Sequence, residues 1–90
     1  MLRITNMLSD GGQTVKVEGR LTGEFVEELS RVARHALADS SRVVLELADV
    51  SFVDQRGLAL LQSLQADGVE LAHRSQFVRT LMNGGRGGRE

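Results

Sequence analysis

The stretch Arg42 to Leu64, RVVLELADVSFVDQRGLALLQSL, constrains this chain most, because it reads as buried strand, tight loop and helix in immediate succession. Val43, Val44, Leu45 and Leu47 form a nearly unbroken β-branched and aliphatic run, which predicts a central strand covered on both faces. Val50, Ser51, Phe52 and Val53 are expected to carry the chain out of the sheet. Asp54 then stands at an N-cap position, its carboxylate placed to accept the N–H of Arg56 or Gly57. The helix opens at Gln55. Leu58, Leu61 and Leu64 recur at three-residue spacing with Ala59 and Leu60 beside them, predicting the face that packs on the sheet, and Asp67-Gly68 ends the helix.

The flanking segments fit the same layered plan. Leu2 and Ile4 alternate with Arg3 and Thr5 as a short strand, and Ser9-Asp10-Gly11-Gly12-Gln13 supplies a tight reversal into a second strand. There Val15, Val17 and Gly19 alternate with Lys16, Glu18 and Arg20, one face toward the core and one toward water. From Thr22, the expected N-cap, the period changes to helical: Phe25, Leu29, Val32, Ala33, Ala36 and Leu37 form a stripe, with Glu24, Glu27 and Glu28 at its positive end. Glu27 and Arg31 stand four apart, a pairing worth about 0.3 kcal/mol. After the Asp39-Ser40-Ser41 breaker and the central unit, Val69 to His73 reads as another strand. Ser75 is placed to cap a last helix carrying Phe77, Val78, Leu81 and Met82, closed by Asn83-Gly84.

The order β-β-α-β-α-β-α predicts an α/β fold with a four-stranded mixed sheet and its helices mainly on one face. Ninety residues hold one domain, expected over residues 1–84, and the Gly/Arg tail 85–90 has no apolar side chain to bury and is expected to be disordered. With no cysteine, disulfides and thiol chemistry are excluded, and the compartment expected by default is a bacterial-type cytoplasm. A formal net charge of −1 leaves no electrostatic footprint for nucleic acid, and no apolar run approaches the ~18 residues of a membrane span. His35 and His73 have no third ligand at metal spacing, Ser40 and Ser41 lack a nucleophile context, and Asp10-Gly11-Gly12 lacks the setting of a phosphate loop. No catalytic residue, cofactor or metal site is expected.

The central segment resembles the signature of the STAS domains. This family comprises the bacterial anti-sigma factor antagonists and the cytoplasmic domains of sulfate transporters, and its loop typically reads Asp-Ser-Ser-Gly-Leu-Gly. Here the corresponding run is Leu47-Ala48-Asp49-Val50-Ser51-Phe52-Val53-Asp54-Gln55-Arg56-Gly57-Leu58-Ala59. Val17-Glu18-Gly19-Arg20-Leu21 extends the likeness to the second strand, with Thr22 in place of the usual aspartate. The resemblance implies a STAS-like fold that lacks the family's C-terminal strand and helix, leaving one sheet edge uncovered. In the switchable members, the serine directly after the aspartate accepts phosphate from a partner kinase. Gln55 holds that position here and Arg56 the next, so neither can be phosphorylated in that way.

By this resemblance the chain is a non-enzymatic interaction module for transcription regulation, docking on a kinase-type anti-sigma factor through Asp54, Gln55, Arg56, Gly57 and Leu58. An alternative of a different class is a STAS subunit that regulates the ATPase of a phospholipid-transport ABC complex, since Val53-Asp54-x-x-Gly57-Leu58-Ala59-Leu60-Leu61 is similar to those subunits. Arg56 adds positive charge to the positive end of a helix, disfavoured by up to about 1 kcal/mol, which suits an anionic partner group as well as simple exposure. Asp54 fits a pure N-cap or a contact residue equally. A homodimer through an exposed strand edge is a further assembly the pattern allows.

Overall fold

The computed structural model describes residues 2–9, 11–73, 75 and 78–81. Six elements follow in the order β1 (Leu2–Ser9), β2 (Gly12–Leu21), α1 (Glu24–Asp39), β3 (Val43–Val53), α2 (Gln55–Ala66) and β4 (Glu70–Ala72). The four strands form one mixed sheet in the order β1-β2-β3-β4, antiparallel between β1 and β2 and parallel thereafter. The strands of the parallel part follow one another in a single direction across the sheet, so right-handed crossovers bring α1 and α2 to the same face.

That one-sidedness is visible in β3. Val43, Leu45 and Leu47 are buried, whereas Val44 and Glu46 are only half-buried. The apolar run therefore does not mark a strand covered on both faces; Val44 lies on the open face, opposite Thr14 and Glu70 in the neighbouring strands. β3 also runs to Val53 instead of leaving the sheet at Val50. It carries two extra residues against β2, between the Lys16 and Glu18 pairings and again between Gly19 and Arg20. The first bulge leaves Ala48 and Asp49 both exposed and returns Val50 to the core side. Ser75 serves the carbonyls freed there: its N–H donates to Leu47 O at 3.1 Å and its Oγ to Val50 O at 2.7 Å. The same Oγ accepts the Val78 N–H, so Ser75 caps the helical turn 78–81 as its sequence position predicts. Phe77, Met82, the Asn83-Gly84 stop and the tail 85–90 lie outside the described residues.

The core is aliphatic. Val15 and Val17 from β2, the inward residues of β3, and Leu61 and Leu64 from α2 meet Leu29, Ala33 and Ala36 of α1. In α1 the buried stripe is Val26, Leu29, Ala33 and Ala36; Phe25 is half-buried and Val26, one position round the helix, takes its expected place. The first turn is not capped by Thr22, because the helix begins one residue later, after Gly23, whose φ of 53° and ψ of −127° suit glycine alone. The Glu27–Arg31 pair is replaced by cross-helix pairs, Glu27 with Arg56 at 3.5 Å and Arg34 with Asp67 and Ser63. The β1–β2 reversal is as tight as predicted, Ser9 pairing with Gly12.

The one-sided sheet yields a direct test by urea unfolding. Leu45→Ala is expected to lose about 2–5 kcal/mol, as a fully buried leucine does when truncated. Val44→Ala, one residue away on the open face, is expected to lose no more than about 1 kcal/mol.

Candidate functional site

The parallel strands β2 and β3 end together at Leu21 and Val53, and both helices start from that edge. Asp54 holds the corner. Its N–H donates to Leu21 O at 3.2 Å, continuing the strand pairing by one step. Its Oδ1 accepts the Gly57 N–H at 2.7 Å, the N-cap bond read from the sequence, and its Oδ2 accepts the Gly23 N–H at 3.1 Å. One carboxylate therefore joins the start of α2 to the turn that starts α1. These bonds to Gly57 and Gly23, helped by the nearby Arg56 charge, favour the ionised form and hold the Asp54 carboxyl below its ordinary value despite some desolvation.

Gly57 is buried beneath this corner. A Cβ there would stand 2.8 Å from Leu21 O and 2.8 Å from Val53 Cγ1, so the helix can approach the strand ends this closely only with glycine at that place. Of the five residues expected to contact a partner, Asp54 and Gly57 thus face inward to the fold, half-buried and buried respectively. Gln55 and Arg56 are exposed and Leu58 is half-buried. Leu58 packs against the core as the spacing predicts but is only partly buried, whereas Gly57, Leu60, Leu61 and Leu64 are the buried residues of the helix.

Gln55, Arg56, Leu58, Ala59 and Gln62 line a shallow, open depression on the outer side of α2. The sequence set Ala59 beside the packing stripe, but it is exposed, and Gln62 was not singled out. Their signal was the helical spacing of 55, 58, 59 and 62, set opposite the leucine stripe. The rim is completed by Glu27 of α1, whose Oε2 lies 3.5 Å from Arg56 Nη2. Both side chains are well exposed, at 63% for Arg56 and 75% for Glu27, so this pair contributes little to stability and can open to another anion. The surface offers amides, one cation and a small apolar patch. Among the described residues no three His, Asp or Glu side chains are grouped to hold a metal, and no helix is long and apolar enough to cross a membrane.

A four-stranded mixed sheet with its helices on one face and an aspartate-capped second helix at the parallel edge defines a SpoIIAA-like α/β domain. A crystal structure of an anti-sigma factor antagonist from Mycobacterium paratuberculosis superposes with a TM-score of 0.80 at 20% identity, covering 98% of this chain and 82% of that one. An uncharacterized protein with a SpoIIAA-like fold from Shewanella loihica gives a TM-score of 0.59 at 14% identity, covering 94% and 76% of the two chains. No curated protein matches the sequence. The family model described as "Mlab, STAS domain" matches residues 4–85, and the chain belongs to the STAS domain family.

Two outcomes test the corner. Gly57→Ala gains up to about 1 kcal/mol of helix propensity, but the crowding against Leu21 and Val53 costs about 1–3 kcal/mol. The net expectation is a lower urea midpoint. For Asp54, the folded state favours the carboxylate, so its contribution is complete above the ordinary carboxylate value near pH 4 and fades as pH falls through the lowered value. Asp54→Ala is therefore expected to be less stable than wild type at pH 7, with the gap narrowing progressively in acid; equal gaps at pH 7 and pH 2 would contradict this.

Proposed function

We propose that this STAS domain is a non-enzymatic docking module whose contact surface is the outer side of α2 around Gln55, Arg56, Leu58, Ala59 and Gln62, and that it is not switched by phosphate at its helix-start loop. The observation that carries this reading is the division of labour at the corner. Asp54 is fully engaged by backbone amides, while the position that carries the phosphoacceptor serine in switchable STAS proteins holds an exposed glutamine. An amide cannot accept phosphate, so docking is constitutive here or is regulated elsewhere. Arg56, held only by an exposed pair, is the side chain that a partner carboxylate can recruit from Glu27.

The partner of the first reading is a kinase-type anti-sigma factor, as befits a chain that shares its fold with an anti-sigma factor antagonist. A second reading is favoured by the absence of a hydroxyl at both 55 and 56. The small STAS subunits that bind the ATPase of phospholipid-transport ABC complexes also depart from the double serine, and the run Val53 to Leu61 is similar to theirs. Both readings use the same face of α2.

Affinity capture from extracts of the source organism separates them. Wild-type chain is expected to retain a partner that Arg56→Glu loses, with the variant's melting temperature unchanged. A kinase-type regulator in the eluate supports the first reading and an ABC ATPase the second; a partner held equally by both chains contradicts the proposed surface. Incubation with the recovered kinase and ATP is expected to add no phosphate within residues 54–57.

A further inference from the structure

The two edges of the sheet differ sharply. β4 is three residues long, whereas β1 runs for eight residues in unbroken register with β2, and among the described residues no strand pairs with its outer side. Among the described residues, the large hydrophobic ones that stand exposed, Met7 at 41% and Leu8 at 83%, both lie on β1. β1 itself carries little of what protects an edge strand: it has no proline, no bulge and no lysine, and a single charge, Arg3, near one end.

The direction of the free backbone groups follows from β2. Gln13 donates its N–H to Arg42 O on the β3 side at 3.0 Å, so the odd residues of β2 bond toward β3 and the even ones toward β1. The β1 partners of those even residues are Ser9, Met7, Thr5 and Arg3. The main-chain groups of Ile4, Asn6 and Leu8 consequently point outward, ready to bond to an added strand.

We propose that β1 pairs antiparallel with β1 of a second copy of this chain, about a two-fold axis at Asn6, to give one continuous sheet across the dimer. Charge selects this arrangement. Parallel pairing would stack Arg3 on Arg3, whereas the antiparallel seam sends the two arginines to opposite ends, each beside position 9 of the other copy. The axis at Asn6 sets Leu8 of each copy opposite Ile4 of the other on the helix-bearing face, and Met7 opposite Thr5 on the open face. It also brings Leu8 beside the open depression lined by Leu2, Arg3, Ile4, Glu18 and Gly19. The two Asn6 side chains, exposed in the single chain, meet at the axis and can hydrogen-bond to each other. A seam one strand wide is small for a dimer interface, so association is weak and concentration-dependent.

Sedimentation equilibrium from micromolar to near-millimolar concentration tests this, with Asn6→Lys and Asn6→Glu as partners in a charge swap. Both substitutions fall on an exposed side chain, and unchanged circular dichroism confirms the fold. Wild type is expected to rise from the monomer's mass toward twice that mass, each variant alone to remain monomeric, and their equimolar mixture to regain the dimer. A wild-type chain that stays monomeric throughout overturns the proposal. So does self-association of either variant at wild-type strength, or a monomer whose Ile4, Asn6 and Leu8 amides become protected only when a different protein is added, which would assign the edge to that protein. These outcomes concern β1 alone and leave the α2 surface to its own test.

Discussion

The architecture turns on one carboxylate. Asp54 accepts the N–H groups of Gly57 and Gly23, bonds that close the first turn of α2 and fix the turn before α1, while its own N–H extends the β2–β3 ladder to Leu21. Each bond satisfies a donor that a helix start or a strand end would otherwise leave open. Because the two helices leave the sheet from the same edge, fixing their first turns sets the direction of both across the core. The cross-helix pair of Arg34 with Asp67 ties α1 to the far end of α2. The leucines at 29, 61 and 64 then meet between helices and sheet with no further polar guidance.

This arrangement explains how a surface can keep the frame of its family and change its chemistry. Asp54 and Gly57 are determined by backbone geometry: the first by two amides, the second by a carbonyl and a methyl group 2.8 Å from where a Cβ would stand. Between them, Gln55 and Arg56 project into solvent and carry no such constraint. Substitution there changes the side chains that this surface offers without disturbing the corner that presents them.

Much of the fold was legible in the sequence. The N-cap at Asp54, the reversal before Gly12, the cap at Ser75 and the order of elements follow from short-range chemistry that acts within a few residues. The errors occurred where long-range packing decides. The apolar run in β3 suggested cover on both faces, since Val44 is hydrophobic, yet among the described residues no helix crosses its side of the sheet. Thr22 had the composition of a cap, but the Asp54 carboxylate reaches across from another element and binds Gly23 instead. Leu58, spaced with Leu61 and Leu64, does pack on the core but stays half-exposed at its margin, because Gly57, able to approach Leu21 closely, rotates the buried face of α2 by one position. In the candidate site, Gln55 and Arg56 were found through the family frame, whereas Ala59 and Gln62 came to light only once that rotation was known.

The most direct measurement is a residue-resolved NMR titration of the labelled chain with its captured partner. Amide shift changes are expected to concentrate at Gln55, Arg56, Leu58, Ala59 and Gln62, with the Gly23 and Gly57 amides still hydrogen-bonded to Asp54 in the complex. Changes centred on the open face of the sheet at Val44, Glu46 and Phe52, with α2 unperturbed, would contradict this.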